Sequence, residues 1–331
     1  MPSDIRRNNV SGDLVILARD RARRPRDHNL IEAPSSPASC PFCPGASTKT
    51  PAPIRSHTSP AYPGHKAAIR VVPNLYPALT PEQPWQARAE GPYDTFTGVG
   101  AHEVVIEAPD HVVSWLEVSA EHIAEILASW QDRIRDLRQD PRIRDIIPFK
   151  NVGPRSGATL AHAHSQILAL PLLSPRQQRL LDRGESHFAH HGRCPMCDAI
   201  DQECRTEERL ILASDELIAW APYGSRASFE VWIAPRIHQA DFTQAHPAIL
   251  LQLADHIRQI LARWEHALGP VDHNLVLHSA PFAFAGKPYY HWHLEMLPRL
   301  STHGGFEWGS GAYINATASE VAARHLRDLN C

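Results

Sequence analysis

The stretch Phe149-Lys150-Asn151-Val152-Gly153-Pro154-Arg155-Ser156-Gly157-Ala158-Thr159-Leu160-Ala161-His162-Ala163-His164-Ser165-Gln166-Ile167-Leu168-Ala169-Leu170-Pro171 decides how this chain is read. Its end alternates polar with small or apolar residues, the period of a strand. Residues two apart on a strand share a face. His162, His164 and Gln166 are therefore expected in a row, with Ala161, Ala163 and Ser165 behind them. Two imidazoles and an amide on one face are costly to bury unless they serve a purpose. The loop before them carries Gly153, Gly157 and Thr159, which offer backbone N–H groups and a hydroxyl to an anion. It is no P-loop, since it lacks Gly-Lys-Ser/Thr.

Working outward, the chain repeats itself. Ser119 caps a helix with apolar positions Ile123, Ile126, Leu127, Trp130, Ile134 and Leu137, an amphipathic stripe. A second helix, from Pro247 to Gly269-Pro270, carries Leu250, Leu253, Ile257, Ile260, Leu261, Trp264 and Leu268. Cys40-Pro41-Phe42-Cys43 is answered by Cys194-Pro195-Met196-Cys197, and His162-Ala163-His164-Ser165-Gln166 by His291-Trp292-His293-Leu294-Glu295. The separations nearly agree, 51 residues from His111 to His162 and 53 from His238 to His291. This predicts an α+β fold made by internal duplication, each half an antiparallel sheet with one long helix. The halves are expected at 1–171 and 194–331, joined by 172–193, where Ser174-Pro175 starts a connecting helix.

Each half also offers one zinc-type donor set: Cys40, Cys43, His111 and His162, then Cys194, Cys197, His238 and His291. A Cys-x-x-Cys knuckle with two histidines from other elements suits tetrahedral zinc. A dithiol redox pair is the alternative, but nothing thioredoxin-like surrounds either pair. Four protein ligands close each site, so both are expected to be structural. Iron is an alternative metal for the second. Cys204 and Cys331 belong to neither set and are expected as free thiols.

The bulk numbers exclude other classes. A net charge of −3 over 331 residues argues against charge-driven binding to nucleic acid or membrane. No apolar run reaches membrane-spanning length. No apolar stretch follows the charges of Met1–Arg7, so no signal peptide is expected, and the compartment expected is the cytosol.

With His162 on a metal, His164 is left free on the same face, roughly 6.5 Å along the strand. A neutral imidazole is a competent nucleophile when one nitrogen is held and the other faces the substrate. Gln166 can donate to a phosphoryl oxygen but cannot protonate a leaving group. The arrangement suits a leaving group that is already good, such as a sugar phosphate. The basic run Arg19–Arg26 reads by composition alone as a solvated loop.

Asn151 to Gln166, with Cys40/Cys43, Pro109-Asp110-His111 and Arg21-Ala22-Arg23-Arg24-Pro25, resembles the galactose-1-phosphate uridylyltransferases of the histidine-triad superfamily. The resemblance runs nearly end to end. It implies a duplicated histidine-triad fold, a homodimer and ping-pong chemistry through a nucleotidyl-histidine. His164 is then the nucleophile and Gln166 stabilises the phosphoryl oxygens. Arg21, Arg24 and Asn74 fall on nucleotide contacts, and Asn151, Gly157 and Thr159 on the phosphate and sugar pocket. The partners implied are a nucleotide sugar and a hexose 1-phosphate, with UDP-glucose and galactose 1-phosphate as the leading pair. Phosphorolysis or adenylyl transfer of an ADP-sugar and histidine-triad hydrolysis are the alternatives. Leu75 stands where the best-known uridylyltransferases carry an aspartate. The tail Gly304–Asn315 lacks their lysine and Tyr-Glu hexose contacts and is similar to the branch that includes ADP-sugar phosphorylases.

Overall fold

The computed structural model describes residues 4–17, 40–43 and 50–329. Arg21, Arg24 and Cys331 lie outside the described residues. In chain order the strands are β1 (Asp4–Arg7), β2 (Leu14–Leu17), β3 (Arg55–His57), β4 (Ile69–Pro73), β5 (Ala87–Glu90), β6 (Tyr93–Phe96), β7 (Ala101–Ile106), β8 (Asp145–Val152), β9 (His164–Leu170), β10 (Leu210–Ala213), β11 (Leu217–Trp220), β12 (Val231–Pro235), β13 (His273–His278), β14 (His293–Pro298) and β15 (Tyr313–Asn315). The helices are α1 (Ala120–Leu137), α2 (Pro175–His191), α3 (Pro195–Thr206), α4 (Pro247–Leu268), α5 (Gly305–Ser310) and α6 (Ser319–Arg327).

Ten strands form one antiparallel sheet in the order β10-β11-β12-β14-β13-β8-β9-β7-β4-β3. Read inward from either edge, each strand meets its counterpart from the other half, so the duplication is visible in the topology. The halves join at the β8–β13 seam, where Asn151 faces Asn274 and Lys150 faces Leu275. They share one sheet, and its largest apolar cluster draws on both halves.

Helices α1 and α4 pack against each other on one face. Ile123, Ile126, Leu127 and Trp130 of α1 are buried with Leu253, Ile257, Ile260 and Trp264 of α4. Each such side chain stabilises the fold by about 1.5–3 kcal/mol on burial. Ser119 caps α1 through its hydroxyl, which accepts from the His122 N–H. Trp130 donates from its indole N–H to the Ser165 hydroxyl at 2.9 Å, so the small face of β9 lies against the helices. By strand alternation His164 and Gln166 point to the opposite face.

Two details differ from the sequence expectation. Strand β9 begins at His164, not three residues earlier, so His162 stands on a bend before it. The Ala163 N–H donates to the Val112 carbonyl there, which draws His162 out of the ladder toward the cysteine pair. The first strands also sit beside the second half: β2 pairs with β15, and Arg6 meets Glu320 at 3.0 Å.

Candidate active site and metal centres

The first Cys/His cluster brings together Cys40, Cys43, His111 and His162, whose donor atoms all lie within 4.8 Å of one another. His162 Nδ1 is 3.5 Å from Cys40 Sγ and 3.6 Å from Cys43 Sγ, and His111 Nδ1 is 3.2 Å from Cys43 Sγ. A tetrahedron with Zn–S about 2.3 Å and Zn–N about 2.05 Å has S···N edges of about 3.6 Å. The donors therefore fit a tetrahedral ion. The other ring nitrogen of His162 meets the Ala108 carbonyl at 3.0 Å, which fixes its proton there and leaves Nδ1 for a metal. Burial, then the nearby histidines, pushes the His162 imidazole down to about 4, so it is a neutral donor at neutral pH.

The second cluster repeats this with Cys194, Cys197, His238 and His291. Cys197 Sγ lies 3.4 Å from His238 Nδ1 and 3.6 Å from His291 Nδ1. Here the counterpart of the His162–Ala108 bond is missing: His291 Nε2 is buried with no hydrogen-bond partner among the described residues. The His238 ring is held instead, by the Lys287 backbone, so each cluster has one histidine fixed by a backbone partner, and both can hold a metal ion.

Anchored by His162, the next histidine is set. His164 Nδ1 is 2.8 Å from the His162 carbonyl, so that nitrogen carries the proton and Nε2 keeps its lone pair. His164 Nε2 has no hydrogen-bond partner among the described residues. Burial lowers the His164 pKa, and the Lys150 ammonium adds to this, so the ring is neutral. Lys150, itself buried, is paired with Glu107 at 2.5 Å and donates to the His164 carbonyl at 3.1 Å. These bonds clamp the backbone on both sides of the imidazole.

Gln166 follows on the same face. Its Oε1 is 2.8 Å from His102 Nε2, and Asn74 Nδ2 approaches the same ring nitrogen at 3.2 Å. Asn74 and Gln166 are thus brought together through His102, which sequence reasoning missed. A single histidine in the run Ala101–Ile106 has no periodic signature to mark it.

The anion loop is held from the other half. Gly153 and Gly157 adopt left-handed φ values of 83° and 91°, and a Cβ on Gly153 would sit 2.1 Å from the Asp272 carboxylate. Asp272 accepts from the Arg155 N–H at 2.6 Å. Asn274 donates to both Asn151 Oδ1 at 2.7 Å and the Ser156 carbonyl at 2.9 Å. Asp272 and Asn274 were also missed, because they lie more than a hundred residues away in sequence. Gly157 and Thr159 are exposed, and Asn151 is half-buried. A cavity of about 400 Å³ behind the loop, lined by Ala158, Thr159, Trp264 and Asp272, does not reach His164.

Comparison with known proteins follows the same lines. The family model described as "Galactose-1-phosphate uridyl transferase, N-terminal domain" matches residues 2–174. The chain is 32% identical to ADP-glucose phosphorylase of Arabidopsis thaliana, over 99% of this chain and 93% of that protein. The chain belongs to the galactose-1-phosphate uridyl transferase family. Galactose-1-phosphate uridylyltransferase of Thermotoga maritima is 25% identical over 98% of both chains. A crystal structure of an Arabidopsis thaliana ADP-glucose phosphorylase with bound ADP-glucose superposes with a TM-score of 0.86 at 29% identity, covering 100% of both chains. As a member of this family the chain is a nucleotidyl-transferring enzyme. No helix among the described residues is long and apolar enough to cross a membrane.

Within this family member, the second half carries a different face. His293 occupies the place of His164, but its Nε2 is buried. The ring lies between His278 and Trp232, with centroids 4.8 and 4.9 Å away. Glu295, in the place of Gln166, accepts from Arg176 and Arg226, each at 2.6 Å. His278, His293 and Glu295 bring donor atoms within 4.8 Å, yet the carboxylate that a cation would need is already held by two guanidinium groups.

Proposed function

We propose that this chain cleaves a nucleoside diphosphate sugar through a nucleotidyl-histidine on His164, with an ADP-sugar as donor and inorganic phosphate as acceptor. The observation that carries the chemistry is the His164 ring: Nδ1 is held by the His162 carbonyl, and Nε2 is left with a free lone pair beside Gln166. That lone pair attacks the α-phosphorus. The N–P bond forms as the bond to the bridging oxygen breaks, and hexose 1-phosphate departs with the electron pair. A phosphate oxygen then attacks the same phosphorus; the new O–P bond forms as the Nε2–P bond breaks, its electron pair returns to Nε2, and ADP and the neutral histidine result. No proton has to reach the leaving group, which agrees with an amide rather than an acid at Gln166.

The first cluster would hold zinc, which supplies rigidity rather than chemistry: Cys40, Cys43, His111 and His162 fix the backbone from which His164 hangs. The second would hold zinc or iron away from that face. Asn151, Gly157 and Thr159 would contact phosphate and sugar. Asn74 would contact the nucleoside, with Arg21 and Arg24 reaching the phosphates. The expected assembly is a homodimer in the cytosol.

Adenine is favoured over uracil by the full-length likeness to ADP-glucose phosphorylase and by the exposed apolar Leu75 after Asn74. Uridylyl transfer from UDP-glucose to galactose 1-phosphate is the second reading, supported by the family model and the Thermotoga maritima relative. Intact-protein mass after mixing with ADP-glucose or UDP-glucose separates them. An AMP-sized adduct discharged by phosphate is expected. A UMP-sized adduct discharged only by galactose 1-phosphate would replace this assignment with the second.

A further inference from the structure

We propose that His102 is a positioning residue for this transfer, locking the Gln166 amide with its NH2 toward the phosphoryl oxygens. The inference rests on the nucleotidyl-transfer reading above. A glutamine amide presents nearly the same shape in two orientations, one offering N–H donors and the other lone pairs. Toward an anionic phosphoryl group the first attracts and the second repels, so a free amide would populate both.

His102 removes that freedom. The Ala78 N–H donates to its Nδ1 at 3.2 Å, which places the ring proton on Nε2. Nε2–H then donates to Gln166 Oε1 at 2.8 Å; Asn74 Nδ2, 3.2 Å from the same nitrogen, has no lone pair to accept that proton and does not compete for it. With Oε1 so engaged, the Gln166 nitrogen is the atom turned away from His102, and it has no protein partner among the described residues. Asn74 is tied in as well: its N–H donates to the His102 carbonyl at 2.8 Å, and its Oδ1 accepts from the Tyr76 N–H at 2.9 Å. The segment Asn74–Ala78 and Gln166 are thereby held to one ring.

The duplicated half shows the same position controlling the same neighbour. Val104 faces Gln166 across β7–β9, and Trp232 faces Glu295 across β12–β14. Two residues earlier stand His102 and Glu230. Glu230 acts on Glu295 through Arg226, which it meets at 2.7 Å. In one half this sheet position aligns an amide, and in the other it braces a carboxylate.

The test is a double-mutant cycle on the rate of adduct formation with ADP-glucose, followed by rapid quench and intact mass. His102→Ala is expected to slow the adduct by about tenfold to a hundredfold, below the hundredfold or more seen when an oxyanion donor is deleted outright. The donor concentration at half-maximal rate should move much less. In the Gln166→Ala background the same change is expected to cost under about twofold, because its target is gone. His102→Gln, which keeps an N–H near the Nε2 position, should recover most of the rate, and His102→Phe should not. Melting temperature and zinc content are measured for every variant. Multiplicative losses, an unimpaired His102→Phe, or a His102→Gln as slow as His102→Ala would each overturn the proposal. An absent adduct in the unaltered protein would defeat the transfer reading, and this inference with it. A normal adduct rate in His102→Ala defeats this inference alone.

Discussion

His162–Gln166 and His291–Glu295 begin alike and end in different chemistry. In each, the strand starts at the second histidine and the first turns to a cysteine pair. In each, the second ring lies against the carbonyl of the first, at 2.8 Å for His164 and 3.2 Å for His293. The difference lies in what stands across the sheet. Opposite Gln166 is Val104, and His164 keeps a free nitrogen. Opposite Glu295 is Trp232, whose ring lies against His293, and Arg176 and Arg226 hold the carboxylate, with Arg176 also paired to Asp13. A duplicated scaffold thus separates two tasks. The more open face keeps the His164 Nε2 without a partner among the described residues, with Phe42 5.4 Å from that ring, and the other is filled by Trp232, His278 and the two guanidinium groups. The filled half still serves the open one, since Asp272 and Asn274 hold the anion loop.

Metal removal should divide the halves most strongly. Structural zinc sites contribute on the order of 10–16 kcal/mol in small domains. Cys43→Ala is expected to remove one equivalent of zinc and the adduct together. Cys197→Ala should remove one equivalent and lower the melting temperature, while residual folded protein still forms adduct. Zinc analysis beside intact mass checks this, and equal adduct loss in both would break the comparison.

Filling the open face should imitate the closed one. Val104→Trp is expected to destabilise by about 1–3 kcal/mol from overpacking and to cut adduct yield more than tenfold. Urea unfolding and mass report the two effects separately. A well-folded variant with full yield would show that Trp232 is not what closes the second face.

The buried carboxylate gives a pH test. Burial alone would raise the Glu295 pKa, but Arg176 and Arg226 overcome this and hold it well below the ordinary carboxylate value. A depressed folded value means the stabilisation is full above the unfolded pKa, about 4.3, and is lost as pH falls through the folded one. Glu295→Gln should cost about 3–5 kcal/mol at pH 7, because it leaves two guanidinium groups underpaired. The gap in urea midpoints should persist at pH 5 and close only well below 4.3. A gap already closed at pH 5 would contradict the network. The smallest effect expected is Ser119→Ala, about 1 kcal/mol from the lost cap on α1, with adduct rate unchanged.

Local patterns were legible in the sequence. The helix stripes, the Ser119 and Ser174 caps, the paired cysteines and the matched His-x-His spacings all follow from periodicity or donor chemistry. The start of β9 was not legible, because alternation runs on through Ala161–Ala163 while the backbone leaves the ladder to bring His162 to the thiols. His102, Asp272 and Asn274 were hidden because register, not spacing, puts them at the site. The buried cluster around Glu295 was hidden for the same reason: Asp13, Arg176 and Arg226 come from three separate segments. Sequence alone placed uridylyl transfer first; the comparisons support the nucleotidyl-transferring family, with full-length likeness both to ADP-glucose phosphorylase and to a uridylyltransferase.

The central claim is that one histidine of the two carries the reaction. The most direct measurement is intact mass of His164→Ala and His293→Ala after mixing with ADP-glucose. The account predicts no adduct in His164→Ala and an AMP-sized adduct, discharged by phosphate, in His293→Ala. An adduct that survives in His164→Ala, or one that is lost only in His293→Ala, would contradict it.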